Sequence, residues 1–304
     1  MRFSEVRVSL LAALKERVLL SDGAMGTQLQ QAGLEPGGCG EAWNLDAPKK
    51  VLEIQRRYVA AGSDCIITNT FGGSRIMLER HDEAARVAAI NRAGAAIARE
   101  AFAGKEGFVL GDIGPFGGLL EPYGEIPESR VADAFSEQAE ALVSGGVDGI
   151  IIETQTALEE LAIGIRAAKD AGATCVIGSM AFDKMLESDD VRTMMGTSPE
   201  RAAEFMVESG ADIVALNCGT GVDMRLAAET VKLYRQTCTL PIMAQPNAGL
   251  PVLENMKVVY KETPDEMAEG VAELVEAGAR ILGGCCGSTP DHIRRFREVL
   301  DHGH

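Results

Sequence analysis

The sequence is poor in aromatic residues, in histidine and in long apolar runs. Only 5% of its 304 residues are aromatic, which argues against a function based on stacking nucleic-acid bases. No segment approaches the ~18 consecutive apolar residues of a membrane-spanning helix. With four histidines, a metal site would have to rely mainly on Cys, Asp, Glu or Asn. We therefore expect neither nucleic-acid nor membrane binding.

Basic residues are also scarce, since 29 Lys and Arg face 45 Asp and Glu, for a net charge of −16. Such a chain is a poor partner for nucleic acid or an anionic membrane. The apolar stretch Val8–Leu14 is short and is followed by Lys15-Glu16-Arg17, so we interpret it as a surface helix rather than a signal peptide. Seven cysteines, an odd number without an export signal, then indicate reduced thiols and a cytoplasmic location.

Eight short β-branched runs recur along the chain, separated by helix-like stretches. Their starts lie 25 to 47 residues apart, which is the spacing of β–α units. Eight such units in about 300 residues predict an α/β fold, a (β/α)8 TIM barrel, as one domain over residues 1–304. The expected strands are Val18–Asp22, Cys65–Phe71, Phe108–Asp112, Gly149–Gln155, Thr174–Met180, Asp212–Cys218, Pro241–Asn247 and Arg280–Cys286.

The alternative fold is an open, doubly wound sheet. Its dinucleotide fingerprint is missing, because the first strand leads into Asp-Gly-Ala-Met-Gly-Thr at 22–27 rather than a G-x-G-x-x-G turn.

The long glycine- and proline-rich segments Gly23–Asn44, Gly114–Pro127 and Ala248–Thr263 all follow strands. Long loops at one end of a barrel mark its working face.

A repeated glycine sets the register of five strands. Gly62, Gly146, Gly172, Gly210 and Gly278 stand where helices are expected to end, as left-handed caps. Seven residues beyond each glycine lies a polar or thiol residue, so these groups fall at the carboxyl ends of the strands and should converge on one pocket. In chain order they are Asn69, Glu153, Ser179, Asn217 and Cys285, while Asp22, Asp112, Gln245 and Asn247 end the other three strands.

The same register sorts the cysteines. Cys65, Cys175 and Cys238 lie near the starts of strands and are expected to be structural, while Cys39 has no assignment. The remaining three, Cys218, Cys285 and Cys286, lie at strand ends that can meet across the barrel mouth.

Three thiols at one mouth suit zinc, and three protein ligands leave a position open for a substrate. A redox dithiol and inert packing remain the alternatives at this point. Asp22 and Glu153 could bind an ammonium group or could serve as structural carboxylates. Backbone N–H groups of Gly23–Thr27 could receive a carboxylate. Together these features describe a site for a thiol amino acid.

The motifs at these positions resemble those of the homocysteine S-methyltransferases, a family that includes the homocysteine domain of cobalamin-dependent methionine synthase and the betaine- and S-methylmethionine-dependent enzymes. The resemblance runs from about Leu19 to Leu300. It rests on Ser-Asp-Gly-Ala-Met-Gly-Thr (21–27), Thr-Asn-Thr-Phe (68–71), Gly-Asp-Ile-Gly-Pro (111–115), Glu-Thr (153–154), Asn-Cys-Gly (217–219), Pro-Asn-Ala-Gly-Leu-Pro (246–251) and Gly-Gly-Cys-Cys-Gly-Ser-Thr-Pro (283–290).

The resemblance implies a homocysteine-binding barrel domain in which a cysteine-held Zn²⁺ takes the homocysteine sulfur and methionine is formed. It implies that Asp22 and Glu153 bind the substrate ammonium and that Asn247 can fill the fourth zinc position before substrate arrives. The remaining roles it implies are zinc ligation by Cys218, Cys285 and Cys286, carboxylate binding along Ala24, Met25 and Thr27, and pocket lining by Asn69 and Asp112.

The methyl donor is open to more than one interpretation. The betaine-dependent relatives carry a tyrosine shortly after the Thr-Phe of the second strand, where this chain has Gly72. The resemblance is nearer to the cobalamin-dependent branch, and we expect a stand-alone module whose donor is a methylcorrinoid on a separate protein. Alternatives are an S-methylmethionine- or betaine-type onium donor, a non-catalytic module that binds a corrinoid protein, or a piece of a larger synthase.

Overall fold

The computed structural model of the protein describes residues 8–186, 188, 190–254 and 257–302. Eight parallel strands, numbered β1 to β8 in chain order, pair in the order β1-β8-β7-β6-β5-β4-β3-β2, with helices between them. The fold is therefore a (β/α)8 barrel, as predicted. The strands are Leu19–Leu20, Cys65–Ile67, Phe108–Ile113, Gly149–Gln155, Val176–Met180, Ile213–Asn217, Ile242–Gln245 and Ala279–Leu282.

The helices cover most of the remaining described chain. Two antiparallel hairpins, Asp183–Lys184 with Val191–Arg192 and Pro251–Glu254 with Lys257–Tyr260, stand outside the barrel after β5 and β7. A 3-10 turn at Ala84–Arg86 precedes one of the α-helices. The α-helices are Leu10–Glu16, Gly26–Gln31, Trp43–Asp46, Pro48–Ala61, Arg75–Glu79, Val87–Ala101, Glu128–Ser144, Leu158–Asp170, Pro199–Glu208, Met224–Thr237, Pro264–Ala268, Val271–Ala277 and Pro290–His302.

Two carboxylates join β1 to β2. At the bottom of the barrel the Leu20 N–H donates to Asp64 Oδ2 at 2.8 Å, and the Asp64 N–H donates to the Leu20 carbonyl at 2.6 Å. At the top, the Ile67 N–H donates to Asp22 Oδ2 at 2.9 Å. The side chains of Asp64 and Asp22 therefore supply hydrogen bonds across this seam of the barrel.

The lower half of the barrel interior is apolar. Each strand contributes at least one side chain, and successive inward-facing positions are two residues apart along a strand. Burying this cluster stabilises the barrel by roughly 25 cal/mol per Å² of apolar surface. The cluster includes Leu19, Cys65, Leu110, Ile151, Ile177, Ala215, Met243 and Ile281.

The helix Leu10–Glu16 closes the bottom of this interior. Leu10, Ala13 and Leu14 are buried in the same apolar cluster, and the Arg280 guanidinium donates to the Leu14 carbonyl. The segment is a surface helix, as expected: its apolar face is covered by the barrel, while Ala12, Lys15 and Glu16 are exposed.

Two residues further along the strands, the inward-facing positions are mostly polar. We call Ser21, Asp112, Glu153, Ser179, Asn217 and Gln245 the polar layer. It lies directly on the apolar cluster and forms the base of the barrel mouth. All five predicted cap glycines have positive φ, between 83° and 115°, which explains why counting from them found the correct register.

Candidate functional site

A cavity of about 380 Å³ opens at the carboxyl ends of the strands. It brings together ten of the eleven predicted site residues, and only Asn247 lies outside its lining. The ten are Asp22, Ala24, Met25, Thr27, Asn69, Asp112, Glu153, Cys218, Cys285 and Cys286.

The three cysteine sulfurs lie within 4.8 Å of one another. Cys218 Sγ and Cys286 Sγ are 3.9 Å apart. Tetrahedral zinc with ~2.3 Å Zn–S bonds holds two sulfurs about 3.8 Å apart, so this pair already has the separation that the metal needs. The thiol cluster fits zinc, with the open side of the cluster toward the cavity.

An irregular backbone positions these sulfurs. Cys218 follows β6 with φ of +58°, a conformation that a side-chain-bearing residue adopts only under constraint. Gly219 follows with φ of +86°, and a Cβ there would fall on the carbonyl oxygen of Phe182. Glycine is therefore required at 219 for the chain to turn Cys218 into the mouth.

The segment after β7 holds both cysteine loops. Asn247 donates through its carboxamide to the Gly219 carbonyl at 2.8 Å and accepts from the Cys286 N–H at 3.0 Å. The Cys285 N–H donates to the Pro246 carbonyl at 2.8 Å. Asn247 thus braces the two loops that carry the thiols. Its role as a fourth zinc ligand remains a prediction.

Buried carboxyl groups face the thiols across the cavity. Desolvation raises the pKa of Glu153 to about 7, although its hydrogen bond with Asp112 opposes the shift. Burial, followed by the charge of Glu153, raises the pKa of Asp112 well above its usual range, so the two carboxyls share one proton. Asp112 Oδ1 has no hydrogen-bond partner in the described protein. Among the described residues, no Lys, Arg or His side chain lines this cavity, so a cationic group of a ligand could bind these carboxyl oxygens without competition from a protein cation.

Asp22 serves the barrel as well as the cavity. Its two oxygens accept from the Ile67 N–H at 2.9 Å and from the Ser21 hydroxyl at 3.2 Å. Burial nevertheless raises its pKa to about 8, with a contribution from the charge of Glu153. Burial in this site therefore opposes the charged forms of the carboxyls, and a positive group would offset that effect.

The chain from Ala24 to Thr27 forms one wall of the cavity. The Ala24 N–H already donates to Ser288 Oγ at 3.1 Å. No side chain caps the helix that begins at Gly26, and Thr27 Oγ1 is buried without a partner among the described residues. Asn69 also lines the cavity, and its carboxamide donates to the Gly40 carbonyl and to Asn44.

Sequence reasoning gave no role to three further polar residues of the mouth. Asn217 contacts both Glu153 and Cys285, and Gln245 Oε1 is buried beside them without a partner among the described residues. The sequence analysis had placed both residues at the carboxyl ends of strands, but the position of a residue along a strand does not reveal which groups its side chain contacts. Tyr260 of the 251–260 hairpin is near Cys286, and burial together with that thiol raises its pKa.

Comparisons with known proteins identify the family of this barrel, whose mouth combines three thiols with buried carboxyls. The family model for homocysteine S-methyltransferase matches residues 19–300, and the chain belongs to that family.

The curated relatives include methionine synthases. The chain is 35% identical over 306 aligned positions to those of Mycobacterium leprae and Mycobacterium tuberculosis. The alignment covers 96% of this chain and 25% of each relative. The chain thus spans about a quarter of the length of these relatives.

Solved structures share the fold. The metallated form of the homocysteine methyltransferase MmuM from Escherichia coli matches with a TM-score of 0.76 at 20% identity, covering 95% of this chain and 99% of that one. A 3-dehydroquinate dehydratase from Geobacillus kaustophilus matches with a TM-score of 0.52 at 12% identity, covering 95% and 93%. Within the described residues, no helix is both long and apolar enough to cross a membrane.

Proposed function

We propose that this chain is a zinc-dependent homocysteine S-methyltransferase that forms methionine. The observation that carries the proposal is the convergence of Cys218, Cys285 and Cys286 within one cavity that also holds the buried carboxyls, in a chain of this family. Zinc held by these three cysteines would favour the thiolate form of the homocysteine sulfur at neutral pH.

The protein side chains orient the amino-acid end of the substrate. Glu153 and Asp22 accept hydrogen bonds from the ammonium group, whose charge favours their ionised forms. Backbone N–H groups between Ala24 and Thr27 face the carboxylate, and Asn69 and Asp112 line the pocket. The cavity, at about 380 Å³, accommodates one amino acid.

Methyl transfer then needs no protein base. The homocysteine sulfur donates an electron pair to the methyl carbon, a new S–C bond forms, and the bond from the methyl group to its donor breaks with its electrons left on the donor. The chain contributes alignment, since its contacts hold the sulfur at the cavity opening.

We further propose that the donor is a methylcorrinoid carried by a separate protein. Among the cavity-lining residues only Phe71 is aromatic, which is little for binding an onium donor. Segments after β2, β3, β5 and β7 expose apolar side chains at the mouth end of the barrel, as a surface that meets a macromolecule would. They include Phe71, Leu119, Tyr123, Met185, Leu186, Met194, Met195, Leu250 and Leu253.

Methyl transfer by the zinc-loaded protein tests the proposal. Methionine formation from homocysteine would be followed with methylcobalamin, S-methylmethionine and betaine in parallel, and with the Cys218/Cys285/Cys286→Ser triple variant as control. We expect methylcobalamin to support turnover and the triple variant to lack both zinc and activity. Turnover only with an onium donor would refute the donor assignment. Full zinc occupancy in the triple variant would refute the metal site.

A further inference from the structure

Asn217 lies at the centre of the polar layer and is almost fully buried. Its Oδ1 accepts from the Thr154 N–H at 2.9 Å and from the Ser179 hydroxyl at 2.6 Å. Because a backbone N–H can only donate, the contact with Thr154 fixes which way the carboxamide points. The NH₂ group must therefore face the cavity side.

Three acceptors surround the two hydrogens of that NH₂ group. Thr154 Oγ1 is 2.7 Å from Nδ2, Glu153 Oε2 is 3.3 Å away and Cys285 Sγ is 3.9 Å away. The short contact takes one hydrogen. The second hydrogen is shared between the carboxylate of Glu153 and the sulfur of Cys285.

We propose that Asn217 is a positioning residue that couples ammonium binding at Glu153 to sulfur binding at the metal. The inference rests on the proposed function, because it needs a metal on Cys285 and an amino acid at Glu153. An ammonium group that pairs with Glu153 satisfies that carboxylate, and the shared hydrogen turns fully to Cys285 Sγ.

A stronger hydrogen bond to Cys285 makes its thiolate a weaker donor to the metal. The metal then accepts a further sulfur more readily, so the amino-acid end of a ligand strengthens the binding of its thiol end. Coupling of this kind is reciprocal. A thiol without an ammonium group therefore binds more weakly for two reasons. It lacks the direct contact with Glu153, and it does not strengthen the hydrogen bond to Cys285.

Cobalt substitution makes this coupling visible without turnover. Co²⁺ held by these thiolates would have sulfur-to-cobalt charge-transfer absorption, and a hydrogen bond to a coordinating sulfur would move it to shorter wavelength. The probe is norvaline, which is homocysteine with a methyl group in place of the thiol. We expect norvaline to shift the band of the unaltered protein to shorter wavelength.

The variants separate coupling from simple support of the fold. Asn217→Asp and Asn217→Ser remove the shared hydrogen and should bind norvaline without the shift. Ser179→Ala removes only a contact to Oδ1 and should keep the shift. Thr154→Val frees the first hydrogen, so its band should lie at shorter wavelength before norvaline is added.

The outcomes are distinguishable. A norvaline-induced shift that persists in Asn217→Ser overturns the coupling, as does an unaltered protein that binds Co²⁺ and norvaline with no shift. Failure of the unaltered protein to bind Co²⁺ through thiolates would instead refute the proposed function. If both Asn217 variants fail to fold, an unshifted Thr154→Val band overturns the inference.

Discussion

Replacing Glu153 by glutamine removes one negative charge while keeping the shape of the side chain. The glutamine carbonyl can still accept from Asn217 Nδ2, which is 3.3 Å from Glu153 Oε2, and its amide can donate to Asp112 in place of the shared proton. The barrel contacts should therefore survive. What is lost is the charge-assisted hydrogen bond to the substrate ammonium, about 1.5–3 kcal/mol, which corresponds to an affinity loss of about ten- to a hundredfold.

Calorimetric titration of the zinc-loaded protein measures this loss. Homocysteine should bind Glu153→Gln ten- to a hundredfold more weakly, while 4-mercaptobutanoate, which is homocysteine without its amino group, should bind about as well as before. Zinc content should not change. The matched control is Glu41→Gln, since Glu41 also lines the cavity but accepts the Gly72 N–H at 2.8 Å. Unchanged homocysteine affinity in Glu153→Gln, or equal losses for both ligands, would refute the assignment of Glu153 to the ammonium.

Three further predictions concern the thiol loop, the structural cysteines and pH. Gly219→Ala should abolish zinc binding because of the clash described above, whereas Gly221→Ala, also at positive φ but without that clash, should keep it; metal analysis of both proteins decides. Cys65→Ser should keep zinc but lose about 1–3 kcal/mol of stability, because it buries a hydroxyl group. Cys218→Ser should lose zinc. Equal zinc contents in the two variants would contradict the division into structural and zinc-binding cysteines. Burial raises the pKa of Glu160 from 4.5 to about 7, so between these pH values the folded chain keeps a proton that the unfolded chain releases. The free energy of unfolding should therefore fall as pH rises from about 4.5 to 7, by up to about 3 kcal/mol. Urea unfolding should show a smaller fall in Glu160→Gln, and an identical pH dependence would count against the buried carboxyl as its source.

The barrel and most of the mouth were predictable because one physical constraint repeats. A glycine in the left-handed region at the end of a helix fixes where five of the strands start, and inward-facing positions then recur every second residue. Counting from Gly146 and Gly210 therefore reached Glu153 and Asn217 without any knowledge of the fold. The thiols were sorted by the same count.

Features that depend on contacts between distant segments were not predictable. The stretch Val8–Leu14 is too short to reveal whether its apolar face meets solvent or the barrel interior. Residues 264 to 277 form two helices rather than one, Pro264–Ala268 and Val271–Ala277, and the Met224 side chain packs against Gly270 between them. Hydrogen-bond partners, such as those that make Asn247 a brace, follow from neither periodicity nor composition.

In the described part of the chain, the apolar cluster and the helix Leu10–Glu16 close the bottom of the barrel and leave the mouth as its opening. Whatever binds in the cavity enters at the mouth and must depart through it, since the space beneath the polar layer is filled. Under the proposed function, a donor protein seated on the mouth would block the exit of the methylated amino acid. Substrate binding and product release would then follow a fixed order: the amino acid binds first, the donor protein docks and dissociates, and the product is released last.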